Sequence, residues 1–230
     1  MRRTILVYGD SNTFGLKPLR FEGDIERFAS YARWTSLLQV DLGSDFEVAV
    51  SGLCARTTIH DDTVEGNDRS GLRLLPTTME CHRPIDLLLI MLGTNDLKER
   101  FKLSPEDIAA GVEQLCLKAR ETGFLTTNLS CNLLIISPPV ILETGVPADN
   151  FLGGAAKSLG LASAYADVAI RVGARFLNAA DFIESDPLDG VHLSAAAHAT
   201  LARKVSSVIS PLLRKDPDTK EPENAAEART

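Results

Sequence analysis

Ile5-Leu6-Val7-Tyr8-Gly9-Asp10-Ser11-Asn12 is an apolar run of strand type that stops at a Gly-Asp-Ser-Asn turn. Glycine lets the chain turn sharply without a Cβ clash. The turn puts a serine hydroxyl at the carboxyl end of a first strand, where open α/β sheets hold their ligands. By itself the stretch also reads as an ordinary strand-to-loop turn. Two distant stretches decide between these readings. Asp86-Leu87-Leu88-Leu89-Ile90-Met91-Leu92-Gly93-Thr94-Asn95-Asp96 is a second apolar strand ending in a glycine turn, and it delivers the carboxamide of Asn95. Asp189-Gly190-Val191-His192-Leu193 supplies a carboxylate and an imidazole just before a long helical pattern. A serine needs a base, the base needs an orienting acid, and the oxyanion needs donors. Ser11, His192, Asp189 and Asn95 are that set.

The rest of the chain alternates strand-type runs with helical patterns. The strands are expected at Ile5–Gly9, Phe46–Ser51, Leu87–Gly93, Leu133–Ser137 and Arg175–Ala179. Amphipathic stretches occupy Arg33–Leu42, Ser104–Glu121, Phe151–Val172 and Ser194–Leu213. Continuous apolar strands alternating with helices predict a parallel sheet covered on both faces, a three-layer α/β/α sandwich. The expected strand order is the flavodoxin-like 2-1-3-4-5. Ser104-Pro105-Glu106-Asp107 offers an N-cap, a proline at the first helical position and acids in the first turn. Ile108, Val112, Leu115 and Ala119 follow at helical spacing. Ser194 is read as the cap of the last helix, with Ala197, Leu201, Val205, Val208 and Leu212 on one side. His60–Pro84 and Pro138–Gly154 lack periodicity, follow strand ends, and are expected to border the crevice.

Gly9-Asp10-Ser11-Asn12, Gly52, Gly93-Thr94-Asn95-Asp96 and Asp189-Gly190-Val191-His192 resemble, in order, the four blocks of the SGNH (GDSL-type) hydrolases. The likeness runs from Thr4 to about Leu213. Glu26-Arg27-Phe28, Arg33-Trp34-Thr35, Gly52-Leu53-Cys54-Ala55-Arg56-Thr57-Thr58 and Ile90–Asp96 are similar to its arylesterase/acyltransferase branch, which includes a perhydrolase. Asn12 stands where the family's name has Leu, and Leu16 where the branch carries a large aromatic. The resemblance implies a serine esterase acting on small acyl or aryl esters, with acyl transfer or perhydrolysis as a further activity, and no cofactor. Ser11, Asp189 and His192 would be catalytic, and the oxyanion would meet the Ser11 N–H and the Asn95 side chain. A third N–H would come from Gly52 or Ala55, between which the sequence does not choose. Phe14, Leu16, Leu53, Val140 and Phe151 are expected to line the substrate pocket, within an apolar rim that also includes Ile141, Leu142 and Val146. The branch forms oligomers, and the two long crevice-side segments suit packing on a neighbour, so a homo-oligomer is expected. Rival readings are a carbohydrate acetylesterase and a catalytically silent binding module on the same fold.

Composition bounds these readings. The 230 residues, 44% hydrophobic, suit one domain over 1–213, followed by a charged, Pro-containing tail over 214–230 expected to be disordered. A net charge of −7 argues against nucleic acid as a partner. No run reaches the roughly 18 apolar residues of a membrane span. Gly9-Asp10 interrupts the only leader-like start, so a cytoplasmic protein is expected. Cys54, Cys81, Cys116 and Cys131 lack metal-site spacing and read as reduced thiols. A Cys54 nucleophile is set aside because the serine has a complete partner set. His60-Asp61-Asp62 is set aside as a metal site, since three successive residues rarely face one ion. His198 is read as a surface or packed residue. Asp10 and Asp96 are read as turn and loop anchors, with Arg33 and Arg56 as expected ion-pair partners.

Overall fold

The structure, a computed structural model, describes residues 2–127 and 131–213. The tail expected over 214–230 lies outside the described residues. Five parallel strands form one sheet: β1 (Arg3–Gly9), β2 (Phe46–Gly52), β3 (Leu87–Met91), β4 (Leu133–Ser137) and β5 (Arg175–Asn178), in the order β2-β1-β3-β4-β5. Among the described residues six α-helices join it, with short 3-10 turns in the loops: α1 (Ser11–Phe14), α2 (Trp34–Leu42), α3 (Gly71–His82), α4 (Pro105–Glu121), α5 (Gly154–Val172) and α6 (Ala195–Leu213).

Alternation along the strands divides the core in two. Leu6, Tyr8, Leu88, Ile90, Leu133 and Ile135 face α3, α4 and α5. Ile5, Val7, Leu87, Leu89, Leu134 and Ile136 face α2 and α6. β3 and β4 are buried along their whole length, which is why they read as unbroken apolar runs. β2 and β5 are edge strands and are only partly buried.

Helix ends follow the sequence signals. Ser104 and Asp107 form a reciprocal capping box at α4. The Ser194 hydroxyl accepts the Ala197 N–H at 3.1 Å. On α6, Ala197, Leu201 and Val205 are buried and Val208 packs partly buried against the same core, as expected, while the stripe ends on Ile209 and Leu213 rather than Leu212.

Two helices were not legible: α1, the single turn that opens at Ser11, and α3. α3 lies inside the segment read as aperiodic, with Pro76 within it. Proline removes a helix hydrogen bond and normally argues against a helix interior. Yet Ser70 caps α3 by accepting the Arg73 N–H at 3.3 Å. Leu72, Leu75 and Met79, spaced three and four residues apart, pack into the core. Only the part of that segment before α3 reaches the crevice.

The register explains where a site can form. Gly9 of β1 is level with Gly52 of β2 and Met91 of β3. Ser11, Ala55 and Asn95 follow these strand ends by two to four residues, so three sequence-distant turns meet at one edge of the sheet.

Candidate active site

Ser11 opens α1 directly after β1. Asp10 caps that single turn, its Oδ1 accepting the Asn12 N–H at 3.0 Å. Gly9 must lack a side chain, since a Cβ would come within 2.1 Å of Thr13 Oγ1. The Ser11 N–H takes no hydrogen bond among the described residues.

His192 stands on the loop before α6. Its Nε2 lies 3.0 Å from Ser11 Oγ, and its Nδ1 lies 2.5 Å from Asp189 Oδ2. Asp189 is fully buried and satisfied on both oxygens. Oδ1 accepts the N–H groups of Val191 and His192, each at 2.9 Å. Oδ2 also accepts the Leu19 N–H at 2.7 Å. Burial opposes ionisation of Asp189, but the hydrogen bonds and charge of His192, with the backbone N–H groups, outweigh it and hold the carboxyl below its usual range. An ionised acid behind the imidazole fixes the tautomer that leaves Nε2 free to take a proton.

Asn95 projects from the turn after β3. One N–H of its amide is bound to the Arg56 carbonyl at 3.1 Å, which orients the group and leaves the other N–H for the cleft. Asp96, directly behind it, accepts the N–H and hydroxyl of Thr58. Burial pushes Asp96 up to about 6, against these hydrogen bonds. Asp10 is likewise pushed up to about 6 by burial. Both carboxylates anchor turns as read from the sequence.

The expected ion pairs are not formed. Among the described residues neither Arg33 nor Arg56 pairs with a carboxylate. Arg56 is buried and donates to the carbonyls of Gly9 and Ser51, pinning the ends of β1 and β2, while its guanidinium lies over the Tyr8 ring. Backbone carbonyls at two neighbouring strand ends present a closer set of acceptors than Asp10. Arg33 donates to the Phe28 carbonyl.

A cleft of about 490 Å³ opens over Ser11, His192 and Asn95. Ala55 lines it and Gly52 does not. Gly52 is packed under α1, where a Cβ would meet the Phe14 N at 2.3 Å. Ala55 holds a left-handed backbone conformation, φ 62°, and its N–H takes no hydrogen bond among the described residues. Leu16, Val146 and Phe151 line the cleft as expected.

Phe14, Leu53 and Val140 do not line it, which corrects the sequence reading. The Phe14 ring lies under the Arg27 guanidinium at 3.8 Å. Leu53 is held at the end of β2, donating to the Gly9 carbonyl. Val140 borders a separate surface hollow with Ile183 and Glu184, which Leu142 shares, and Ile141 is in the core. The rim is also more polar than the sequence suggested. Glu22, Glu65, Lys98, Asp149 and Asn150 all line the cleft. Lys98 is buried and paired with Asp62 and Glu65, to which Arg100 also binds. Nothing local in the sequence marks that cluster.

The remaining candidates separate in space. His60 stacks on Phe101, Asp61 pairs with Arg73, and Asp62 with Lys98, so the His60-Asp61-Asp62 run diverges. Cys54 lines the cleft, and burial, with the nearby Asp10, pushes its thiol up, away from the reactive thiolate. His198 is packed, its Nδ1 accepting the Trp34 N–H at 3.3 Å.

The model of the GDSL-like lipase/acylhydrolase family matches residues 7–200. No curated protein matches the sequence. Among solved structures, the native aryl esterase of M. smegmatis is 35% identical with a TM-score of 0.84, covering 92% of this chain and 100% of that one. A carbohydrate acetylesterase from Sinorhizobium meliloti is 32% identical with a TM-score of 0.84, again covering 92% and 100%. The order of the matched blocks, the β2-β1-β3-β4-β5 sheet and these likenesses agree: the chain belongs to the GDSL-like lipase/acylhydrolase family of SGNH hydrolases.

Proposed function

We propose that this chain is a serine esterase that hydrolyses small acyl esters through an acyl-enzyme on Ser11. The observation that carries the reading is the buried line from Ser11 Oγ through His192 to Asp189, at 3.0 and 2.5 Å. His192 Nε2 takes the serine proton as Oγ attacks the ester carbonyl. The carbonyl electrons move onto oxygen, and that oxyanion meets the N–H groups of Ser11 and Ala55 and the free amide N–H of Asn95. Collapse expels the alcohol, which leaves with the proton from His192. Water then repeats the sequence in reverse, with His192 as its base, and releases the acid. No step needs a metal or organic cofactor. An intact set of nucleophile, base, acid and donors speaks against a silent module.

Two neighbours of similar likeness divide on substrate, and the cleft wall weighs between them. Its apolar side, Leu16, Val146 and Phe151, suits a small acyl group or an aryl ring. Its polar side, Glu22, Lys98, Asp149 and Asn150, offers hydrogen bonds to a hydroxylated leaving group, which favours acetylated sugars as the second reading. Acyl transfer requires a nucleophile to outcompete water, which a dry cleft favours. This polar rim favours hydrolysis over transfer or perhydrolysis. An acyl series from acetate to decanoate on aryl alcohols, run beside acetylated sugars, tests the reading. Steep preference for acetate supports it, and a preference for long chains contradicts it. Adding benzyl alcohol and measuring the acid-to-ester ratio tests transfer.

A homo-oligomer belongs to the same proposal. Phe21, Ile25, Val146 and Leu152 are exposed on the segments that flank the cleft, and a second copy would cover them. Light scattering that returns only 24.9 kDa over a wide concentration range contradicts it. The four free cysteines fit a cytoplasmic location. Among the described residues no helix is long and apolar enough to cross a membrane.

A further inference from the structure

The residue after the nucleophile carries a contact that the chemistry above does not use. Asn12 is 2% exposed. Its Nδ2 donates to the Val191 carbonyl at 3.2 Å, and its Oδ1 accepts the Leu193 N–H at 3.1 Å. Those partners are the residues immediately before and after His192. One carboxamide therefore grips the backbone on both sides of the imidazole. Donor and acceptor serve in opposite senses, so the amide fits in one orientation only. The amide is itself anchored, since Asp10 Oδ1 accepts the Asn12 N–H. Apart from the Ser11–His192 contact, these two bonds are the only hydrogen bonds that join residues 10–15 to 186–194 among the described residues.

We propose that Asn12 is a positioning residue for acyl transfer. It clamps the Val191 and Leu193 backbone so that His192 Nε2 stays within proton-transfer reach of Ser11 Oγ. The proposal rests on the reading of Ser11 and His192 given above. The two groups come from opposite ends of the chain, and the sheet alone does not set their spacing. A displacement near 1 Å at a reacting pair can cost on the order of 10²-fold in rate. A leucine at 12 has a similar size and neither donor nor acceptor. It leaves the Val191 carbonyl and the Leu193 N–H unpaired and frees the loop to shift.

The test is a double-mutant cycle on an activated aryl acetate, with folded fraction checked by circular dichroism. Asn12→Leu is expected to lower kcat about 10- to 100-fold while KM changes by less than about threefold. In a His192→Ala background the same change is expected to cost less than about twofold, because there is no base left to position. A residue that merely supports the fold would lower both backgrounds alike. Equal losses in the two backgrounds, or a loss below about threefold in the first, overturn the proposal. Asn12→Ser, too short to span to both backbone groups, replaces Asn12→Leu in the cycle if the latter does not fold, with the same expectations. If His192→Ala itself keeps nearly full activity, the assignment of the base fails instead, and the two failures are told apart.

Discussion

The backbone N–H of Leu19 donates to the same oxygen of Asp189 that faces the His192 imidazole, at 2.7 Å. Leu19 belongs to the segment after α1 that also lines the cleft, so one wall of the cleft is tied to the acid. Asp189 thus receives four donors on two oxygens. An asparagine there must turn its NH₂ toward one of those donor pairs. Asp189→Asn is expected to lower kcat by about 10⁴-fold through the wrong imidazole tautomer. It is also expected to destabilise the fold by about 1–3 kcal/mol, for the donors left unpaired. Steady-state kinetics with urea unfolding checks both, and full activity contradicts the role of the acid.

In the proposed mechanism Asn95 is an oxyanion donor, so Asn95→Ala removes a group that acts chiefly in the transition state. kcat is expected to fall about 10²–10³-fold with little change in KM. A change in KM alone would make Asn95 a substrate-binding group.

Gly190 lies between the acid and the base, with φ 72°. A Cβ there would come within 2.2 Å of the Leu142 carbonyl. The Gly190 carbonyl in turn accepts the Leu142 N–H at 2.7 Å, tying the 138–153 loop to the catalytic loop. Gly190→Ala is expected to lower both the melting temperature and kcat, because the loop must shift to relieve the clash. Calorimetry and kinetics that both match the wild type contradict this coupling.

His198 carries a pH signature. Burial, with smaller effects of His192 and Arg33, pushes its imidazole down to about 4. Between the ordinary histidine value and about 4, the unfolded chain takes a proton that the folded chain refuses. Its contribution to stability is therefore complete above about pH 6.5 and is lost as pH falls toward 4. The loss reaches about 3 kcal/mol at most. In His198→Asn the amide oxygen can still accept the Trp34 N–H, and nothing titrates. The stability of wild type relative to His198→Asn is expected to decline from pH 7.5 to 4.5. Parallel curves in urea unfolding contradict it.

Much of this was legible because it is encoded locally. A glycine turn after an apolar run marks a strand end, and Ser11, Asn95 and the Asp189–His192 pair each follow such a signal. What was not legible depends on side chains that meet across the chain. Asn12 finds its partners about 180 residues away. Lys98, Asp62, Glu65 and Arg100 form one charged cluster from two loops. Phe14, Leu53 and Val140 follow strand ends as the lining residues do, but they lie outside the cleft wall. After a turn, direction is set by packing and not by spacing. α3 was hidden by Pro76, although the spacing of Leu72, Leu75 and Met79 was present to be read.

The covalent intermediate distinguishes Ser11 from any other nucleophile. The protein is mixed with an activated aryl acetate, quenched in acid within one turnover, digested and mapped by mass spectrometry. A single acetyl group is expected on the peptide holding Ser11. In Ser11→Ala that adduct is absent, and turnover falls on the order of 10⁶-fold with the fold intact. An acetyl group on Cys54 instead, or turnover within tenfold of wild type in folded Ser11→Ala, would contradict Ser11 as the nucleophile.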